Sequence, residues 1–284
     1  TGDVLSSSNW SAEGYLKAER VNLLAIVKRL HIAPFDVKNG FADLEIWTSW
    51  KQAEVAQIKG RISVENSSVL YEKAVFEVKE SSSWFAWNKL SKGWSLSLGG
   101  LSFQIDDMTQ TKSQAYVEYI PNDANDFSTA FKSTGFNVNV LASVLGQSAV
   151  LDLTQKNTLQ RLNPKGRVEY VNAKLRRFND QYEWAVCGKL REFSSQAMDP
   201  IPETSNISGS ICSTNAEGWG QLETSSASID LKELFSEPFQ LDGLHGLMTW
   251  KQLDESWDIS SDHLYISTPH IQAESRLRLN LAAG

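Results

Sequence analysis

Strict alternation of apolar and polar residues runs through most of this chain and constrains its fold more than any other feature. In residues 276–281 three leucines alternate with two arginines and an asparagine, and Trp94, Leu96 and Leu98 alternate with serines. Successive side chains of a β-strand point to opposite faces, so the pattern predicts strands with one apolar and one polar face. Such strands are typical of antiparallel sheets.

The number of such segments predicts a large sheet. We count a dozen or more, and Gly99-Gly100 between Leu98 and Leu101 predicts a hairpin turn. Fourteen strands at about 4.8 Å spacing would extend roughly 65 Å, which is long for a closed sandwich. We therefore predict a mainly β fold, an elongated, curved antiparallel sheet that grows by repeats, with a few short α-helices.

Three short helices are predicted near residues 22–30, 139–146 and 230–236. Asn22, Asn139 and Asp230 stand at N-cap positions, and Gly146 closes the second helix. Each cap follows a strand-like segment, which indicates a repeat of strand, short helix and meandering strands. We therefore divide the chain into a first β-groove repeat, 1–135, and further repeats, 136–284.

Charge and hydropathy argue against two classes of function. The net charge is −7 and the isoelectric point is about 5.2, whereas nucleic-acid binders usually carry a basic patch. No run of eighteen apolar residues occurs, so the sequence predicts no transmembrane helix within this segment.

Motifs of catalysis are missing from the sequence. It contains no nucleophile elbow, phosphate-binding loop or dinucleotide fingerprint. The four histidines have no recognised metal-ligand spacing, and the adjacent Asp106 and Asp107 are typical of a turn. We predict no enzymatic activity, no cofactor and no metal.

Two cysteines, Cys187 and Cys212, stand in neighbouring strand-like segments. An antiparallel hairpin folded about residues 199–200 would place them opposite each other. A disulfide could then form in an oxidising compartment. Two buried free thiols are the alternative, and the one we favour.

Three ordered stretches carry a family resemblance: Trp87–Leu98, Leu159–Val168 and Ile207–Trp250. In this order they resemble YhdP-like proteins of the AsmA-like family, which includes TamB. The likeness extends from about Gly14 to Leu281. It rests on the ordered set, because no single motif is specific.

The resemblance implies a function and a location. Relatives of this kind are anchored in the inner membrane and form a β-trough with an apolar lining. They are thought to carry phospholipid across the periplasm towards the outer membrane. The resemblance therefore implies a periplasmic segment that binds phospholipid or another acyl-chain lipid. It also implies that the protein contacts the membrane only through parts outside this segment. Envelope proteins are possible further partners.

The apolar strand faces would then line the groove. The candidate lining residues come in pairs from six strands: Leu44 and Ile46, Ile62 and Val64, Leu96 and Leu98, Leu101 and Phe103, Val168 and Tyr170, and Leu277 and Leu279. Alternation shows that a face is apolar but not what covers it, so packing under a helix or another sheet is the alternative.

Two other functions stay open at this point. One is a structural scaffold or protein-interaction module of the envelope, acting through strand edges. The other is an enzyme acting on envelope glycan or lipid, which would need convergent titratable groups that the sequence does not show.

Overall fold

The computed structural model describes residues 10–25, 35–71, 74–105, 108–122, 126–147, 152–198, 202–230, 237–253 and 256–282. The chain divides into two compact units, Thr1–Ser133 and Thr134–Gly284. In both units antiparallel strands dominate the described residues.

The first unit is a meander in which each strand pairs with the next. Its strands are β1 (Ser11–Asn22), β2 (Phe35–Lys51), β3 (Glu54–Tyr71), β4 (Ala74–Lys89), β5 (Trp94–Ile105) and β6 (Met108–Pro121). All pairs from β1–β2 to β5–β6 are antiparallel. Strand β7 (Phe127–Asn137) leads the chain into the second unit.

The second unit begins with helices and continues as a meander. Its elements are α1 (Val138–Gln147), α2 (Leu153–Leu162), β8 (Lys165–Phe178), β9 (Gln181–Ser195), β10 (Glu203–Thr214), β11 (Glu217–Thr224), β12 (Ala227–Asp230), β13 (Phe239–Leu241), β14 (Gly243–Leu253), β15 (Ser256–Ser267) and β16 (Gln272–Ala282). The main sheet has the order β8-β9-β10-β11-β14-β15-β16, while β12 pairs with β10 and with β13.

The predicted fold class, an antiparallel β-sheet with a few short helices, is confirmed. Apart from β11, which pairs with β14, each meander pairs neighbours along the chain. In the described residues its first and last strands do not pair with each other, so the sheet is open. The tight turns help to explain the meander. Gln52 and Ala53 between β2 and β3, and Asn179 and Asp180 between β8 and β9, have positive φ angles, as type I′ hairpin turns require.

The predicted hairpin at Gly99-Gly100 is wrong. Both glycines lie inside β5, where the pairing with β4 shifts between Ser82 and Trp84. Gly100 has a φ of 60°, so the pair forms a β-bulge in a continuous strand. A bulge and a turn use the same glycine chemistry, and the sequence does not distinguish them.

The helix caps were predicted with mixed success. Helix α1 lies where the second helix was expected, but it begins at Val138, so Asn139 is inside it and does not cap it. Residues 23–25 are helical, and the Ala25 N–H donates to Asn22 Oδ1 at 3.4 Å. The rest of the first helix, and residues 231–236 of the third, lie outside the described residues.

Helix α2 was not predicted, although its capping signals are in the sequence. Asp152 and Gln155 form a capping box, in which each side chain accepts a hydrogen bond from the other residue's N–H, at 2.8 and 3.0 Å. Asn163 ends the helix in a left-handed conformation just before Pro164. The residues between these signals are only weakly apolar, so no apolar stripe indicated a helix there.

Candidate functional site

One face of the first unit is apolar from strand to strand. Directly paired residues share a face, and the register therefore defines rows that cross the sheet. One row contains Leu16, Ile46, Gly60, Phe85, Leu98 and Ala115, and the next contains Thr48, Ile58, Trp87, Leu96 and Val117. With the Leu44–Ile62 and Ala42–Val64 pairs, these rows form what we call the first apolar face.

Side chains of the first apolar face remain accessible to solvent. Leu16 is 55 % exposed, and Ile46, Ile62, Phe85 and Leu98 are only half-buried. A packed core would leave such side chains almost fully covered. This face is therefore a surface on which an apolar partner could lie.

All eight candidate lining residues of the first unit lie on this one face. They are Leu44, Ile46, Ile62, Val64, Leu96, Leu98, Leu101 and Phe103, each of them half-buried. The bulge at Gly100 keeps Leu98 and Leu101 on the same side, since Leu98 pairs with Ala115 and Leu101 with Ser113 on that face. Their contact with lipid stays a prediction.

Several members of the face were missed by sequence reasoning. Leu16 and Ile58 follow the same alternation as the chosen residues and could have been found by it. Phe85 and Trp87 could not, because Trp84-Phe85-Ala86-Trp87 is apolar at every position. The register decides the matter, since Phe85 pairs with Gly60 and Trp84 with Arg61.

The second unit has a comparable face. One of its rows runs through Val168, Leu190, Gly209, Leu222, Gly246 and Leu264. Another contains Val186, Ser213, Gly218, Trp250, Ile259 and Leu279. These rows and their flanking residues form the second apolar face.

Part of the second apolar face is covered. Ala227 of β12 and Leu241 of β13 form a buried cluster with Leu244, and partly buried hydrophobic residues of the sheet, including Leu222 and Ile266, pack against it. The β12–β13 hairpin therefore closes one end of this face as a core. Towards the tight turns the same face is open.

Exposed side chains mark that open end. Trp184 is 40 % exposed and Ile211 is 45 % exposed. The candidates Leu277 and Leu279 belong to this face, opposite Ser261 and Ile259, and Leu279 is 42 % exposed. The lining role of both leucines stays a prediction.

The interpretation that Val168 and Tyr170 share a face is wrong. Val168 pairs with Leu190, but Tyr170 pairs with Lys189, because the β8–β9 register shifts between them. This irregularity places Tyr170 on the opposite, polar face. Val168 is only 6 % exposed, in a strand against which helix α1 packs, so it belongs to a covered region.

The opposite faces are polar and carry cross-strand pairs. In the second unit Lys189 Nζ lies 3.1 Å from Glu223 Oε2, and Arg278 Nη2 lies 3.3 Å from Asp258 Oδ2. In the first unit the Tyr15 hydroxyl donates to Glu45 Oε1 at 3.0 Å. Charged side chains of this kind require water nearby, so these faces are the solvated ones.

Two surface depressions lie on the polar faces. One, of about 420 Å³, is lined by Lys17, Glu45, Arg61 and Trp84 among others. The other, of about 560 Å³, contains His245 and His263, where His245 stacks on Tyr265 with ring centroids 6.2 Å apart. Their charged linings are unsuited to acyl chains.

Cys187 and Cys212 are directly opposed in β9 and β10, with Cα atoms 4.0 Å apart, and the structure joins them in a disulfide. The free-thiol alternative that the sequence favoured is therefore not what the structure shows. The bond lies on the polar face of the second unit, beside Trp219, the β11 partner of Cys212. It fastens the sheet without touching the second apolar face.

Among the described residues, no group of three or more histidine, cysteine and carboxylate side chains could hold a metal ion. None of the helices that the structure describes has both the length and the hydropathy to span a bilayer.

Comparison with known families identifies the family of this chain. The family model described as "YhdP protein" matches the chain over residues 1–284. The chain belongs to the YhdP family. This confirms the resemblance to AsmA-like proteins, a transport-type, non-enzymatic group of the cell envelope. No curated protein and no solved structure matches this YhdP family member.

Proposed function

We propose that this chain is a periplasmic segment of an inner-membrane-anchored lipid-transfer protein, and that its apolar faces hold the acyl chains of phospholipid on the way to the outer membrane. The continuous, half-exposed first apolar face carries the proposal. Membership of the YhdP family supports it.

The width of this face gives room for acyl chains side by side. Six paired strands, β1 to β6, span roughly 24 Å at about 4.8 Å per spacing. Burying a methylene group contributes about 0.8 kcal/mol, so contact with a few side chains holds a lipid. The row from Leu16 to Ala115 has no charged member, so a lipid can move from strand to strand without meeting a desolvated charge.

Two faces of opposite polarity give the sheet a sidedness that this function needs. The polar faces carry ion pairs and stay in water, whereas the apolar faces gain from being covered. Transfer by this route requires neither a nucleotide nor a metal at the groove itself.

The test is lipid recovery from purified protein. Phospholipid extracted from the wild-type segment, expressed in the periplasm, is compared by mass spectrometry with that from an Ile46→Asp, Ile62→Asp variant. We expect more than about tenfold less lipid in the variant, since each buried carboxylate displaces favourable methylene contacts.

A matched control places the same charges on the other side of the same strands. The Ser49→Asp, Ser63→Asp variant changes the polar face, and should keep the wild-type amount of lipid. Circular dichroism checks that all three proteins are folded. Equal lipid in both variants, or none in the wild type, would contradict the proposal and favour a scaffold without lipid.

A further inference from the structure

Tryptophan and tyrosine side chains of the first apolar face are gathered at one end of its strands. Trp50 lies just before the β2–β3 turn, Trp87 and Trp94 lie on either side of the β4–β5 turn, and Tyr119 lies near the end of β6. Their partners place them on this face: Trp50 pairs with Ala12, Trp87 with Ile58, and Trp94 with Tyr119. The rings of Trp94 and Tyr119 lie 6.1 Å apart. We call this set the aromatic rim.

Away from the turns the same face changes character. Leu44 and Ile62 replace the indole rings in the middle of the strands, and Phe103 follows beyond them. At the far end the surface is closed, because Ala42 is 2 % exposed and Gln110 is 1 % exposed. The face is therefore layered along the strand direction, from aromatic groups with a polar N–H or O–H to hydrocarbon, and then to a covered end.

The second apolar face shows the same layering independently. Tyr182 and Trp184, close to the β8–β9 turn, are 53 % and 40 % exposed, and Trp257 follows the turn between β14 and β15. At the other end Leu244 is 8 % exposed, within the cluster under the β12–β13 hairpin. Two units of different sequence thus share one arrangement.

We propose that phospholipid lies along the strands, with its headgroup and glycerol at the aromatic rim and its acyl tails directed towards the covered end. This inference rests on the proposed function and adds an orientation to it. Tryptophan and tyrosine prefer the level at which hydrocarbon meets water, since an apolar ring carries a polar atom. Trp50 shows this in its Nε1–H, which donates to Thr48 Oγ1 at 3.2 Å.

The depth of the face matches one acyl chain. From the Trp87 level to the Ser81 level, the strand rises by six residues, or roughly 20 Å. Half of the hydrocarbon thickness of a bilayer is about 15 Å. A tail that starts at the rim therefore ends before the covered end. Tails lying along the strands would place neighbouring lipids side by side across the sheet.

The layering also favours an amphiphile over a second protein face as the occupant. If the apolar face of another copy lay here, it would cover the whole face evenly. Such contact would not be strengthened by indole N–H and phenol O–H groups gathered at one level. A molecule with one polar end and one apolar end matches the two zones. The structure thereby assigns the rim as the groove's headgroup level.

Photo-crosslinking tests the orientation directly. The wild-type segment is loaded with phosphatidylcholine that carries a diazirine either at the end of an acyl chain or next to the glycerol, and crosslinked residues are mapped by mass spectrometry. We expect the chain-end probe to label the level of Leu44 and Ile62, and the glycerol-side probe to label Trp50, Trp87 and Trp94. The same map for both probes, or the reverse map, would overturn the inference while leaving lipid binding intact.

A variant separates the rim from general hydrophobicity. Trp50→Leu, Trp87→Leu, Trp94→Leu keeps the face apolar, and we expect the preference of the glycerol-side probe for the rim level to fall by about fivefold. The control Trp47→Leu, Trp84→Leu removes indoles from the polar face and should leave the map unchanged. Should neither probe label the apolar face of the wild type, both the orientation and the proposed function fail.

Discussion

The two units use the same strand pattern but bury very different amounts of it. Among the described residues, the buried hydrophobic side chains of the first unit are Val37 and Ala42. Those of the second unit are Phe136, Val140, Val168, Ala227, Leu241 and Leu244. The second unit adds helix α1, the β12–β13 hairpin and a disulfide to its sheet. An apolar face thus becomes a core where a further element covers it, and stays a binding surface where none does.

The largest effect that separates the units should come from the disulfide. In a Cys187→Ala, Cys212→Ala variant, the unfolded chain regains the freedom of a loop with a sequence separation of 25, so we expect a loss of about 3.5 kcal/mol in the free energy of unfolding. Urea titration measures it. Hydrogen exchange should accelerate in β9 and β10 but not in β3 and β4. Equal acceleration in both units would show that the disulfide does not act locally.

Two leucine-to-alanine substitutions compare the stability contributed by a covered leucine with that contributed by a half-exposed one. Leu244→Ala opens a cavity in the cluster under the β12–β13 hairpin and should lower the free energy of unfolding by about 3 kcal/mol. Leu98→Ala removes a half-exposed side chain of the first apolar face and should cost about 1 kcal/mol. Both losses come from denaturant titrations in lipid-free protein. Similar losses would mean that the first face is covered as well.

The smallest effect concerns the polar face of the first unit, where tyrosine pairs with glutamate. The Tyr116 hydroxyl donates to Glu118 Oε2 at 2.7 Å, and this hydrogen bond, with burial and the carboxylate charge, raises the pKa of Tyr116. Its stabilising contribution is complete below the ordinary tyrosine pKa and is lost as pH rises through the raised value.

Spectroscopic titration of tyrosinate measures that difference. Glu118→Gln should lower the pKa of Tyr116 towards its ordinary value, because the negative charge that opposes ionisation is gone. Tyr15, which pairs with Glu45, serves as the internal reference, since its pKa is also raised and should not move. An unchanged titration of Tyr116 would assign its pKa to burial.

Period-2 alternation predicted much of the fold and half of the site. It located Leu44, Ile46, Ile62 and Val64 on one face, because a regular strand has only two sides. It failed at Val168 and Tyr170, where one register shift moves the following residue to the other side. Register shifts of this kind depend on how two strands pair. The sequence of one strand by itself does not reveal that pairing.

A local sequence pattern also does not show whether another element packs over an apolar strand face. Leu244 and Leu98 both alternate with other residues in apolar strands, yet only Leu244 lies under a hairpin. That difference is set by β12 and β13, short strands whose partners are decided by tertiary packing. The disulfide is similar, since the hairpin geometry predicted opposition of the cysteines but not their oxidation state.

The order of the strands has a consequence for how the chain folds. From β1 to β6, and from β8 to β11, every strand pairs with the one made just before it. Each hairpin can therefore close as soon as its second strand has emerged, and the loops to be closed stay short. The β10–β12 and β11–β14 pairings must wait for an intervening stretch. A protein that grows in this way can be lengthened by adding strands at the end of a sheet without disturbing those already in place.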